Sequence, residues 1–305
     1  MNSSGSKFTR IKICDIILYS LTWGFAALTL LALLFIVFHI LVNGIPHLTP
    51  TLFERQWTVA NQSMFPAIIS TIAIVFLTLT FAVPLGIFTG IYLVEYVKRG
   101  SKLVAVIRSA AELLAGIPSI VYGLFGLLFF GLFLGLRYTF IAGSLTLTIM
   151  ILPLIIRTTE EALKSVPDGY REGAFALGAG KLRAVFRIVL PSALPGILAG
   201  VMLAIGRIIG ESAALIFTAG TAAQLPESLT HSVRTLTVHM WVLAQEGLHT
   251  NEAYATGVIL LLVVLLINTV SAFLAKRFAI KRLATKRVAA KGAATKGAGK
   301  GNSLN

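Results

Sequence analysis

Residues 157–191 read RTTEEALKSVPDGYREGAFALGAGKLRAVFRIVLP and lie between two strongly apolar segments. This polar stretch holds six of the chain's 26 Lys and Arg residues. Ser165, with Asp168 three residues later, fits a capping box, the side-chain arrangement that begins many α-helices. The stretch therefore predicts that a helix begins near its centre, between two segments suited to a hydrocarbon environment.

The second half of the same stretch predicts how this helix ends and where another begins. Gly178 and Gly180 can end the first helix in left-handed backbone geometry. A second helix, from Lys181 to Leu190, would end at Pro191, because proline breaks a helix that precedes it. We therefore expect two short helices that lie at a membrane surface and are presented to another molecule.

The composition predicts a membrane protein. The chain is 56% hydrophobic and 12% charged, with a mean hydropathy of +0.87, whereas soluble domains have about 25% charged residues. Apolar runs of roughly 18 residues or more predict transmembrane helices. There are six, which makes the expected fold an all-α polytopic bundle: 16–42, 65–94, 113–136, 138–157, 194–219 and 254–275.

The distribution of basic residues predicts the orientation of these spans. Near the spans, 19 Lys and Arg residues lie in the N-terminus, the second loop, the polar stretch 157–191 and the C-terminus, against 3 in the alternate loops. The positive-inside rule then places the N-terminus (1–15), the 158–191 loop and the C-terminus in the cytoplasm. We expect a multi-pass protein of the cell membrane with both termini cytoplasmic.

The C-terminal segment 279–305 is basic, with a five-residue repeat that begins KRFAI, KRLAT, KRVAA a few residues earlier. Five residues turn an α-helix by about 500°, so the repeated Lys residues spread around the axis and form no single basic face. The Gly-rich end cannot build a core. We expect a disordered tail that can touch lipid headgroups and binds no nucleic acid.

Several classes of site are excluded by the sequence. Cys14 is the sole cysteine, so no intrachain disulfide or cysteine metal cluster can form. The spacing of His231, His239 and His249 suits no single helix face, so no metal site is expected. The chain has no G-x-x-x-x-G-K-[ST] motif to hold ATP and no apparent catalytic residues. It is therefore predicted not to be an enzyme.

The fifth predicted span contains two ionisable residues, which are rare in membrane segments and are candidates for function. Arg207 lies thirteen residues past Leu194, about 20 Å along a helix. Glu211 follows one turn later on the same face, close enough to pair with Arg207. Two interpretations remain open. Either the pair neutralises itself and holds the span to a neighbour, or Arg207 faces an anion path whose field Glu211 moderates.

Other positions predict local contacts. Arg108 and Glu112 are one turn apart and suit a surface ion pair, Pro118 is expected to kink the third span, and Val238–Leu248 suits an interfacial or re-entrant helix. Pairs of glycines four residues apart allow close helix packing, here expected within a tight core that includes partner subunits: Gly86/Gly90, Gly131/Gly135, Gly196/Gly200 and Gly206/Gly210.

Glu172-Gly173-Ala174, Gly178 and Ile188-Val189-Leu190-Pro191 resemble the EAA loop of importer-type ABC permeases, with Gly173 in place of the usual Ala. The resemblance implies a MetI-like permease fold over residues 65–278. It also implies that the 158–191 loop is a coupling loop that docks into an ATPase subunit. The residues expected to serve this coupling are Asp168, Arg171, Glu172, Gly173, Ala174, Gly178, Ile188, Leu190 and Pro191.

The runs IGRIIGESAALIFTAG and GIPSIVYGLFG, together with the loop, are similar to the phosphate-specific branch of these permeases. This resemblance implies a translocation path that involves Arg207 and Glu211. The implied partners are a homologous permease subunit, a dimer of ATPase subunits and an extracytoplasmic phosphate-binding protein. ATP and Mg²⁺ would belong to the ATPase, with no cofactor in this chain. The alternatives are a permease for another small oxyanion, an ATPase-independent secondary transporter or channel, and an intramembrane enzyme that uses Glu211.

Overall fold

The computed structural model describes residues 4–97 and 100–273, and every regular element within these two ranges is helical. The predicted tail 279–305 lies outside the described residues. The helices are α1 (Ser4–Gly44), α2 (Phe65–Ile91), α3 (Lys102–Ala115), α4 (Ser119–Gly126), α5 (Phe140–Lys164), α6 (Gly169–Ala176), α7 (Lys181–Ala184), α8 (Leu190–Ile209), α9 (Ala213–Thr218), α10 (Leu236–Glu246) and α11 (Thr250–Phe273).

Three π-helical turns extend these elements, at Tyr92–Tyr96 after α2, Leu127–Phe133 after α4 and Val185–Val189 between α7 and α8. Among the described residues, five helices are long and apolar enough to cross a membrane, or up to six if one bent pair is a single span. The predicted all-α polytopic fold is therefore confirmed.

The bent pair is the third predicted span. Val104–Ala115 and Ser119–Phe133 meet at an angle of 104°. The span predicted over 113–136, with a kink at Pro118, therefore begins earlier, at Val104, and bends much more sharply than a kinked helix. Pro118 has extended backbone angles before α4. Proline also disfavours helical geometry in the residue before it, which breaks the segment where only a kink was expected.

Helix α5 is the centre of the bundle. Of its most apolar 18-residue stretch 61% is buried, whereas none of the corresponding stretch of α1 is buried. Two of the four glycine pairs bring neighbouring helices against α5. A methyl group at Gly86 would lie 2.5 Å from Ile155, and one at Gly90 would lie 2.7 Å from Thr159. The second such pair, Gly196/Gly200, packs α8 against the same helix. These glycines therefore build the core of this chain.

The fourth span is longer than predicted, because α5 continues to Lys164. Ser165 ends this helix, and its hydroxyl donates to Ala162 O at 2.8 Å. Asp168 precedes α6 without a side-chain capping bond, so the predicted capping box was wrong. The non-spanning part of the predicted coupling loop is therefore residues 165–180, shorter than the predicted 158–191.

Gly178 and Gly180 have different roles. Gly178 follows α6 with φ of +77°, as predicted, but Gly180 has φ of −67° and precedes α7. The predicted helix end at Pro191 was wrong, since residues Lys181–Ile209 form one helical span. The π-helical turn directly before α8 widens the helix at the position where the ring of Pro191 would clash with an earlier carbonyl.

The predicted fifth span, 194–219, is also two helices. Gly210 ends α8, and the chain resumes as α9 at Ala213. Close packing of Gly143 against Ala219 holds α9 against the first turns of α5. The break therefore lies inside the bundle, between the end that carries residues 165–180, here called the loop end, and the opposite end.

Candidate functional site

The break between α8 and α9 separates the two ionisable residues of the predicted fifth span. Arg207 lies in the last turn of α8, where a cation is favourable because the carbonyl end of a helix carries partial negative charge. Glu211 lies beyond this helix and accepts a hydrogen bond from Ala214 N at 3.0 Å. Among the described residues no hydrogen bond or ion pair joins Arg207 to Glu211. The predicted pair was wrong because the helix ends between them.

Helix α10 closes the break from the side. The Thr237 hydroxyl donates to Ile209 O at 2.5 Å, which satisfies one of the free carbonyl groups at the end of α8. Leu236 N donates to Thr71 Oγ1 of α2 at 2.8 Å. The helix was predicted at Val238–Leu248 and lies two residues earlier. Its first turn is buried in the bundle.

A cavity of about 320 Å³ extends from the loop end to Arg207. Along α5 its wall runs from Lys164 to Met150, which corresponds to about 21 Å of helix. Leu93, near the end of α2, forms part of the same wall. Four basic side chains and three carboxylates line the cavity: Arg108, Arg157, Lys164, Arg207, Glu112, Glu160 and Glu161.

Three ion pairs neutralise most of these charges. Arg108 and Lys164 both pair with Glu160, the latter with Nζ 2.6 Å from Oε1. Arg157 Nε donates to Glu161 Oε1 at 3.1 Å. The predicted ion pair of Arg108 with Glu112 was wrong. The bend after α3 packs this helix against α5, and there Arg108 pairs with Glu160.

Arg207 differs from the other cations of the cavity. It is exposed, and among the described residues it has no ion-pair partner. It also lines a second cavity, of about 750 Å³, beside Asn268 of α11 and Leu203 of α8. The guanidinium is therefore available to a negatively charged molecule in either space.

The loop end presents the residues predicted to couple to another protein. Glu172 and Gly173 of α6 are exposed, Ala174 is buried and Arg171 points inward. Asp168 and Gly178 are exposed, and the other three predicted residues, Ile188, Leu190 and Pro191, are half-buried in the helix that follows. Apolar side chains are exposed around the same turn, and we call this set the loop surface: Tyr170, Phe175, Leu177, Leu182 and Phe186.

Two groups near the site were not found by sequence reasoning. Glu95 contacts Arg171, which is 76 residues away in the chain, and Glu160 contacts Arg108, which is 52 positions earlier. The sequence offers one signal for such an ion pair, which is a carboxylate at the end of an apolar segment. It cannot reveal which distant cation is the partner, because that depends on how the helices pack.

The three histidines of the predicted external connection are separated in the structure. His231 is exposed, while His249 Nδ1 lies 3.6 Å from Glu252. His239 is fully buried and its Nδ1 lies 3.0 Å from Arg234 Nη1. Burial, together with the Arg234 charge, lowers the pKa of His239 to about 3. His239 is therefore neutral at physiological pH and joins α10 to the preceding loop.

A helical bundle with a broken span and a charged cavity is an arrangement found in membrane transport proteins. Residues 82–282 match the family described as "Binding-protein-dependent transport system inner membrane component". Since this match covers well over half of the chain, the protein belongs to that family.

Named relatives are similar over most of their length. The chain is 34% identical over 271 residues to "Probable ABC transporter permease protein YqgI" of Bacillus subtilis, which covers 83% of this chain and 92% of that protein. It is 35% identical over 251 residues to "Phosphate transport system permease protein PstA" of Yersinia pestis. This match covers 77% of this chain and 81% of that protein.

Solved structures show the same fold. A bacterial alginate ABC transporter in complex with its periplasmic protein is similar with a TM-score of 0.66 at 17% identity, over 88% of this chain and 97% of that one. The MetNI methionine ABC transporter is similar with a TM-score of 0.55 at 19% identity, over 70% and 94%. At these identities the likeness concerns the fold alone, and it confirms the predicted MetI-like architecture.

Proposed function

We propose that this chain is the membrane-spanning permease subunit of an ATP-driven importer of inorganic phosphate. The relative named as a phosphate transport permease supports the substrate. The observation that carries the proposal is Arg207, an accessible cation at the inner end of a cavity whose other basic groups are paired. A phosphate anion is attracted to such a group, and the neighbouring ion pairs keep the local charge low enough for the anion to leave.

The path is proposed to form between this chain and a homologous permease subunit. The second cavity beside Arg207 and Asn268 supports this, since it opens between α8 and α11 where another helix bundle can pack. Glu211 was predicted to act in the path as well. Its hydrogen bond to Ala214 supports a different contribution, which is to hold the start of α9 and so to shape the break.

The energy is proposed to come from a dimer of ATPase subunits that bind ATP and Mg²⁺. The exposed loop surface supports a docking role for the loop end, because exposed apolar groups rimmed by polar ones are typical of protein interfaces. The excess of Lys and Arg predicts that this end and both termini are cytoplasmic in the cell membrane. A phosphate-binding protein would then deliver its ligand at the opposite end.

Two measurements test the function together. Uptake of labelled phosphate is compared in cells with and without this chain, at low external phosphate, with unlabelled sulfate as competitor. The purified chain is then examined for a copurifying ATPase. We expect uptake to depend on the chain, to be insensitive to sulfate and to require the ATPase. If sulfate reduces the uptake, the result would instead support a permease for another oxyanion. Transport without an ATPase would support a secondary transporter or channel.

A further inference from the structure

The Arg171 side chain of α6 makes five hydrogen bonds within this chain. Nε and Nη2 donate to Glu95 Oε1 at 3.0 and 2.8 Å. Nη2 also donates to Leu163 O at 2.9 Å, and Nη1 donates to Val166 O at 2.8 Å and to Asp168 Oδ1 at 3.2 Å. A guanidinium group has five N–H donors. All the donors of Arg171 are therefore used inside the chain.

This pair of charges is shielded from water. The Arg171 side chain is 16% exposed and the Glu95 side chain is 8% exposed. A carboxylate buried to this extent depends on its cationic partner, because an unpaired buried charge is strongly destabilising. With its donors occupied and little surface exposed, Arg171 is poorly suited to contact a docked protein. Its geometry instead determines where α6 lies.

The other partner, Glu95, belongs to the π-helical turn Tyr92–Tyr96 at the end of α2. The next residue, Tyr96, is contacted by the other half of the loop, since Lys181 Nζ of α7 lies 5.1 Å from the centre of its ring. Both α6 and α7 are therefore attached to the same turn. Leu93, two residues before Glu95, lines the cavity that leads to Arg207.

We propose that the Glu95–Arg171 pair is the link through which movement of α6 reaches the wall of the cavity. The inference rests on the proposed function, in which an ATPase docks on the loop surface. Displacement of α6 then pulls on Glu95, which moves the end of α2 and with it Leu93. Arg171 acts here as a positioning residue that transmits a displacement and does not touch the substrate or the ATPase.

The test uses the assembled complex in liposomes and measures phosphate transported per ATP hydrolysed. Glu95→Gln keeps the shape and one acceptor oxygen but removes the charge, and Arg171→Lys keeps the charge but offers three donors in place of five. Asp15→Asn removes an exposed carboxylate from α1 and serves as the control. We expect the transport per ATP to fall about tenfold in both variants of the pair and to be unchanged in the control.

Assembly distinguishes transmission from docking. The ATPase should copurify with both variants, and ATP hydrolysis should continue while uptake falls. Wild-type transport per ATP in both variants would overturn the inference, and so would loss of the ATPase from either of them, because the pair would then serve docking or folding. Absence of an ATPase from the wild-type complex is a different result, which contradicts the proposed function itself.

Discussion

Replacing Arg207 with Gln should abolish most phosphate uptake while the complex still assembles. Gln keeps much of the length and polarity of the side chain and removes its charge. Arg207 is exposed and has no ion-pair partner among the described residues, so its loss leaves no carboxylate unpaired. In contrast, loss of Arg108 would leave Glu160, whose side chain is 9% exposed, with one cation fewer.

The size of the effect follows from the position of Arg207 in the cavity. Two unit charges about 4 Å apart attract each other by about 4 kcal/mol near a protein surface and by about 1 kcal/mol in bulk water. Because the cavity is partly open, a value near 2 kcal/mol is appropriate, and this corresponds to about a 30-fold loss in affinity or passage.

The assay is the initial rate of labelled phosphate uptake at low external phosphate, with ATP hydrolysis by the purified complex measured in parallel. Arg207→Lys is the matched control, since it keeps the charge and loses only the planar arrangement of donors. We expect Lys to retain more uptake than Gln, with similar basal ATP hydrolysis in both. Wild-type uptake by the Gln variant, or equal loss in both variants, would show that the charge of Arg207 does not serve passage.

The other predictions concern stability and coupling. Gly178→Ala should lower phosphate-stimulated ATP hydrolysis, because a residue with a side chain loses about 1–2 kcal/mol at a φ of +77°. Gly173→Ala in α6 is the control and should leave the hydrolysis unchanged, since nothing lies within 4 Å of the new methyl group. Equal activity of the two variants would contradict this. Gly86→Ala should lower the thermal unfolding temperature, because the new methyl group meets Ile155, while Gly24→Ala has open space and should have little effect. The depressed pKa of His239, about 3 in the folded chain against about 6.5 unfolded, means that stability is fully present above pH 6.5 and is lost as the pH falls. Between pH 7 and pH 5 the loss should be about 2 kcal/mol, and a His239→Gln variant with unchanged acid sensitivity would refute this.

Several features of the fold could be predicted from local patterns. The length of the apolar runs predicted the spans, and both ends of the second span agree with the structure to within two residues, at Phe65 and Tyr96. Gly178 was assigned a left-handed conformation correctly, because that requirement is a property of one residue and its neighbours. The fold class was predictable for the same reason, since each span satisfies its own backbone hydrogen bonds.

The errors occurred where the backbone geometry depends on neighbouring elements. Pro191 was expected to end a helix and Pro118 only to kink one, yet a π-helical turn accommodates the first and a bend of 104° follows from the second. Hydropathy does not distinguish a continuous apolar helix from a broken one. The break after Ile209 was missed because α9, α10 and the Thr237 hydroxyl supply the packing and hydrogen bonds that make it stable.

For this protein, the sequence by itself determined the membrane class, the presence of the apolar spans, the EAA-like loop motif and the candidacy of Arg207. Each of these depends on residue type and spacing along one segment. The tertiary structure alone decided which charges meet: Glu160 with Arg108, Glu95 with Arg171, and none of the described residues with Arg207. Ion pairs between helices depend on distances of a few ångströms across the bundle, and these exist only once the helices have packed.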